Sequence, residues 1–176
     1  VMDIMTGEIL AISNQPAGDL SLSRNRVPSI YKNKAITDRF EPGSTFKTFT
    51  MVTALEYLVF DPEDTTETLP LQIGSTTVKD PRDHGVLSME EVLIKSSNAG
   101  ISRIALQLEP CDLFTIFKSL GFGEISSSGF PGEASGTLDT NCNSWRERKI
   151  ASLSYGYGID VSLIQLASAY ATIANN

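Results

Sequence analysis

The stretch 44–59, "STFKTFTMVTALEYLV", constrains the fold more than any other part of the chain. Phe46, Phe49, Val52, Leu55 and Val59 recur at threes and fours, the period of one helix face, while Met51, Ala54 and Leu58 widen the apolar surface. A helix so apolar has to be mostly buried. Yet it carries a lysine, Lys47, three places after a serine, Ser44, and the pair follows a Pro42-Gly43 turn.

The other segments supply the elements around that helix. "VMDIM" and "EILAIS" are β-prone runs joined by Thr6-Gly7, a tight hairpin at the edge of a sheet. Residues 14–43, rich in Asn, Ser, Pro and Arg, read as an extended surface connection. "LQIGSTTVKD" forms a small hairpin around Gly74-Ser75. Ser88 with Glu91 is a capping box that opens a short helix toward Lys95. A helix begins near Asn98 and ends before Pro110, and another runs from Asp112 to Leu120 with Gly121 at its C-terminal end. "GFGEISSSGFPGEASG" is loop; a helix around Trp145–Leu153 leads into "SYGYG"; Ser162 and Gln165 form a second capping box before a last helix to about Ala174. The class is α+β, helix-rich, without internal repeats.

Several functions are excluded or disfavoured. The net charge of -7 and the scattered Lys and Arg residues offer no basic face for nucleic acid. The longest apolar run, around Met51–Phe60, is broken by Glu56 and falls short of the ~20 residues of a membrane span. The chain opens on "VMDIM" without an initiator Met or basic leader and reads as an excised piece. His84 is the only histidine, and Cys111 and Cys142 lack metal-ligand spacing, so no metal or cofactor is expected. The two cysteines read as unpaired thiols.

Residues three apart on a helix share a face, with Cβ atoms about 5–6 Å apart, so Ser44 and Lys47 can bring hydroxyl and amine together. In the first turn, the helix dipole and free backbone N–H groups favour negative charge developing on the serine oxygen. Among Phe46, Phe49 and Val52 the lysine loses hydration, which depresses its pKa and frees a neutral amine to take a proton. That is a nucleophile with its general base. Spacing alone does not carry the assignment, because S-x-x-K is common. Two rival chemistries fail on the same residues. A phosphate-binding loop needs glycines where Glu41 and Phe46 stand. A Ser-His-Asp triad would have to recruit His84, flanked by Asp80 and Asp83, but no G-x-S-x-G elbow is present, and His84 reads as a loop residue. Ser96-Ser97-Asn98, in "KSSNAGI", lies at the junction of two expected helices and can aim a hydroxyl and a carboxamide into the same cleft; the plain alternative is that Asn98 is an N-cap.

Taken together and in order, "NKAITDRFEPGSTFKTFT", "SSNAGISRIAL", "GFG", "FPGE" and "SYGYGIDVSLIQLASAYATIANN" resemble the class B penicillin-binding proteins, the peptidoglycan D,D-transpeptidases. "AITDRFEPGSTFK" is most similar to the cell-division type; it argues against an elongation-type transpeptidase or a serine β-lactamase relative. Two members of the S-x-x-K, S-D-N and K-T-G motif set are represented.

The resemblance implies a penicillin-binding-protein and serine β-lactamase-like fold, an antiparallel sheet with helices on both sides. It implies Ser44 as the acylated nucleophile, Lys47 as its base, Ser96 as the proton relay to the leaving amine, and Asn98 as the carboxamide holding Lys47 and the substrate. Ser97, Tyr155 and Gly156 are carried over as substrate-binding positions, and the Ser44 backbone N–H as one oxyanion donor. The implied partners are peptidoglycan stem peptides, β-lactam antibiotics and divisome proteins, at the periplasmic face of the inner membrane. No Lys or Arg is followed by [ST]-G, so the third motif is absent. The resemblance puts it on a later strand, and residues 1–176 read as a single domain, the N-terminal and central part of a transpeptidase domain, impaired or inactive by itself.

Overall fold

The computed structural model describes residues 1–16, 31–126 and 128–175. In chain order these form α1 (Lys34–Thr37), α2 (Lys47–Glu56), β1 (Thr65–Glu67), β2 (Leu71–Ile73), β3 (Thr76–Val78), β4 (Val86–Ser88), α3 (Met89–Ile94), α4 (Asn98–Ala105), α5 (Pro110–Ser119), α6 (Glu147–Ser154) and α7 (Leu163–Asn175). Short 3-10 turns occupy Gly43–Phe46 and Cys142–Ser144. The chain divides into two compact units, one from Val1–Phe40, Leu120–Thr137 and Val161–Asn176, the other from Glu41–Ser119 and Leu138–Asp160.

The second unit is built around α2, which packs on α4 and α5, while α4 also packs on α6. Phe46, fully buried, sets its ring edge-on to Phe49 at 5.2 Å and to Phe117 of α5 at 4.7 Å. Ile73 and Val78 of the β2–β3 hairpin close on Ala151 of α6. This hairpin is the one expected around Gly74-Ser75, and Gly74 supplies the positive φ of +55° its turn requires. The antiparallel β1–β4 pair was not legible, because three residues a side are too few for alternation to register. The capping box opening α3 forms as expected, with Ser88 and Glu91 each accepting the other's backbone N–H.

Two expectations for this unit need correction. The helix expected over 44–59 starts as a 3-10 turn, becomes α-helical at Lys47 and ends at Glu56. Nothing covers Leu58, which turns to φ +53° and is 88% exposed, so the apolar pattern outran the burial. Cys111 and Cys142, expected as free thiols, are disulfide-bonded with Cα atoms 5.1 Å apart. Their separation of 31 residues carries no signal; what pairs them is the packing of the first turn of α5 against the 142–144 turn, where Phe114 also meets Trp145 edge-on.

In the first unit the expected N-terminal hairpin narrows to a single antiparallel bridge, Met2 to Ile9. Its turn is held by Asp3, whose carboxylate accepts the N–H groups of Met5 and Thr6. Helix α1, packed on α7, lies in the stretch 14–43 expected to be extended; residues 17–30 of that stretch lie outside the described residues. The second capping box forms: Gln165 accepts the Ser162 N–H at 2.8 Å and Ser162 Oγ accepts the Gln165 N–H at 3.3 Å. Buried Gln165 also donates to the carbonyls of Gly121, Glu124 and Ser135, fastening the long loop that precedes α6.

Candidate active site

Ser44 stands exposed on the 3-10 turn, one residue after Gly43, whose φ of +57° sets the sharp entry. Lys47, the first residue of α2, is 1% exposed. Its Nζ donates to Ser44 Oγ at 3.1 Å, to Ser96 Oγ at 2.9 Å and to the Ser96 carbonyl at 2.5 Å. Three of the four residues expected to cooperate therefore converge on one amine. Ser96 sits between α3 and α4 at φ +55°, a left-handed conformation sparsely populated by residues other than glycine and characteristic of functional sites.

Asn98 is placed differently from the expectation. It is the first residue of α4, half-buried, and its carboxamide makes no hydrogen bond to Lys47 or to any other described residue. The N-cap is Ser97, whose side chain accepts the Gly100 N–H at 2.8 Å. Ser97 is fully buried and its hydroxyl also donates to Asp80 Oδ2, so its bonds hold the helix start.

Asp80 is the residue that motif reasoning missed. Its other oxygen accepts the backbone N–H groups of Asn98 at 2.5 Å and Ala99 at 3.1 Å, which fixes a carboxylate at the positive end of α4. The sequence offered it only as a neighbour of His84. His84 is instead a loop residue, as expected, and its backbone N–H is accepted by Thr68. Asp80 follows directly on the β2–β3 hairpin, so a carboxylate just after that hairpin was the available signal.

Burial dominates the electrostatics. Loss of hydration lowers the Lys47 pKa from 10.5 to about 8, against the opposing charge of Asp80, which raises it. A buried amine on the edge of neutrality, bonded to an exposed serine hydroxyl, can accept that hydroxyl's proton and pass it to the second serine.

Tyr155 and Gly156 lie in the turn after α6. Tyr155 is half-buried, its ring edge-on to Tyr157 at 5.6 Å. Gly156 is buried and its carbonyl accepts the Gly43 N–H at 3.1 Å. Gly156 therefore borders the segment that leads into Ser44, while Tyr155 packs against Ile73, Val78 and Ala151.

A serine on the turn that opens a helix, three residues before a buried lysine that also bonds a second serine, matches the S-x-x-K pattern of the serine acyl-transfer families. The chain belongs to the penicillin-binding protein transpeptidase domain family, whose model matches residues 1–176. It is 39% identical over 176 residues to a probable peptidoglycan D,D-transpeptidase, PenA, of Neisseria flavescens, covering all of this chain and 44% of that protein. It is 35% identical over 175 residues to the peptidoglycan D,D-transpeptidase FtsI of Escherichia coli (strain K12), covering 99% of this chain and 30% of that protein. A solved peptidoglycan glycosyltransferase from Burkholderia ambifaria superposes with a TM-score of 0.88 at 38% identity, over 99% of this chain and 51% of that one. The fold is thus the α+β transpeptidase fold expected, and the chain spans less than half the length of these two curated relatives.

Proposed function

We propose that this chain carries the acylation centre of a peptidoglycan D,D-transpeptidase of the cell-division type. Ser44 Oγ attacks the penultimate D-Ala carbonyl of a stem peptide, its proton passing to Lys47. The new C–O bond forms as the C–N bond to the terminal D-Ala breaks, and Ser96 delivers the proton to the leaving amine. A second stem peptide's amine then attacks the acyl-serine, giving the cross-link and returning the proton to Ser44. The Ser44 backbone N–H serves as one oxyanion donor, and Asn98, whose carboxamide has no partner among the described residues, is available to bind the substrate amide. Tyr155 contributes to the substrate side.

The observation that carries this is the Lys47 amine, buried and hydrogen-bonded to both serine hydroxyls, with its pKa lowered to about 8. β-Lactams acylate the same serine, because their ring amide is opened by the same attack. The periplasmic face of the inner membrane, with divisome partners, is the proposed setting; it is supported by the Cys111–Cys142 disulfide, which suits an oxidising compartment. Among the described residues no helix is long and apolar enough to cross a membrane. The test is to incubate the full-length protein with a stem peptide ending in D-Ala-D-Ala and an amine acceptor. Release of D-Ala with formation of the cross-linked product is expected from the wild type and not from Ser44→Ala; equal release from both would refute the assignment.

A further inference from the structure

We infer that Gly156 is a positioning residue for the nucleophile, acting through the peptide that precedes Ser44. The inference rests on the acyl-transfer reading and adds to it the device that holds Ser44 in place. Hydrogen bonds join the end of α6 and its following turn to the segments on either side of Ser44. Gly43 N–H donates to the Gly156 carbonyl at 3.1 Å, and Thr50 Oγ1 donates to the Ser154 carbonyl at 3.1 Å. The two glycine backbones are in direct contact. A methyl group at Gly156 would overlap the carbonyl oxygen of Gly43 and lie 2.6 Å from its nitrogen and 2.8 Å from its carbonyl carbon. Those atoms are backbone and cannot swing aside, so any side chain at 156 must push the Gly43–Ser44 peptide. Ser44 Oγ reaches Lys47 Nζ at 3.1 Å, near the long end of a hydrogen bond, and a displacement of this peptide breaks that contact first.

The neighbouring glycine supplies the control. Gly158 has φ +80°, nearly the +82° of Gly156, but a methyl there meets nothing within 4 Å. Alanine at either position therefore carries the same left-handed backbone strain, and only at 156 does it also strike the Gly43 backbone.

The experiment compares the full-length wild type, Gly156→Ala and Gly158→Ala for Tm and for the second-order rate constant of acylation by a fluorescent penicillin across pH. Both variants should lose similar Tm. Gly158→Ala should acylate at close to the wild-type rate, and Gly156→Ala slower by on the order of 10²-fold, the loss a displacement of about 1 Å from near-attack geometry produces. The rise of rate with pH should stay centred near 8 in Gly156→Ala, because the turn moves while Lys47 remains buried. Equal rates in the two variants overturn the inference. So does a midpoint that climbs toward 10.5 in Gly156→Ala, which would mean that the methyl loosened α2 as a whole and rehydrated the lysine. If Gly156→Ala does not fold, Thr50→Val takes its place: it keeps the side-chain shape and deletes the bond to Ser154. A several-fold slower acylation at an unchanged midpoint is then expected, and a wild-type rate overturns the inference. A wild-type protein that takes up no penicillin defeats the acyl-transfer reading itself, an outcome distinct from all of these.

Discussion

Lys47 is placed to lose its proton at a pH where an ordinary lysine keeps it, and the acylation rate should report this. Burial brings its pKa from 10.5 to about 8. At pH 7 about one such amine in ten is then neutral, against roughly 3 in 10⁴ for an unperturbed lysine. The second-order rate constant for Ser44 acylation should therefore climb about tenfold between about pH 7 and pH 9 and level off above that, since it follows the ionisation of the free enzyme's base. Asp80→Asn supplies the second arm. Asp80 is the one group that raises the Lys47 pKa, so removing its charge should move the midpoint below that of the wild type. The plateau should fall as well, because the amide keeps only one of the two oxygens that accept from Ser97 Oγ and from the first N–H groups of α4. Rapid-mixing fluorescence with a labelled penicillin on the full-length protein gives both profiles. A rate flat through this range, a wild-type midpoint near 10.5, or a midpoint that rises in Asp80→Asn would refute the reasoning.

Lys47→Ala should lose nearly as much acylation as Ser44→Ala, and the double variant should be little worse than either, because residues acting as one unit do not add; stopped assays with radiolabelled penicillin would show a further large drop if the two worked independently. Replacing Cys111 and Cys142 together by serine should lower unfolding stability by about 3–4 kcal/mol, the loop-closure effect for a separation of 31 residues, and an unchanged midpoint in urea would argue against a native disulfide. Gln165→Ala should cost about 2–3 kcal/mol by thermal denaturation, because it removes a buried cap together with the side-chain amide that donates to the carbonyls of Gly121, Glu124 and Ser135.

Much of the site was legible because its signals are local. Ser44 and Lys47 are three residues apart at the entry to an apolar helix, and that spacing with that burial foretold both their contact and the direction of the lysine's shift. Ser88 with Glu91 and Ser162 with Gln165 are likewise four-residue patterns that determine their own hydrogen bonds. What escaped is long-range. Asp80 reaches Ser97 and Asn98 across 17 and 18 residues, and no local pattern marks it as their partner. The cysteines pair through the packing of α5, and β1 finds β4 only because the hairpin between them folds back. The carboxamide of Asn98 was carried over from the family as a ligand of Lys47, but here the lysine's donors are already taken up by Ser44 and Ser96.

The central claim is that Ser44 is an acyl-accepting nucleophile, and intact-mass measurement of the full-length protein after incubation with excess benzylpenicillin tests it most directly. One adduct of the antibiotic's mass, mapped to the peptide containing Ser44 and absent from Ser44→Ala, is the predicted result. No adduct on the folded wild type, or an adduct that persists in Ser44→Ala, would contradict it.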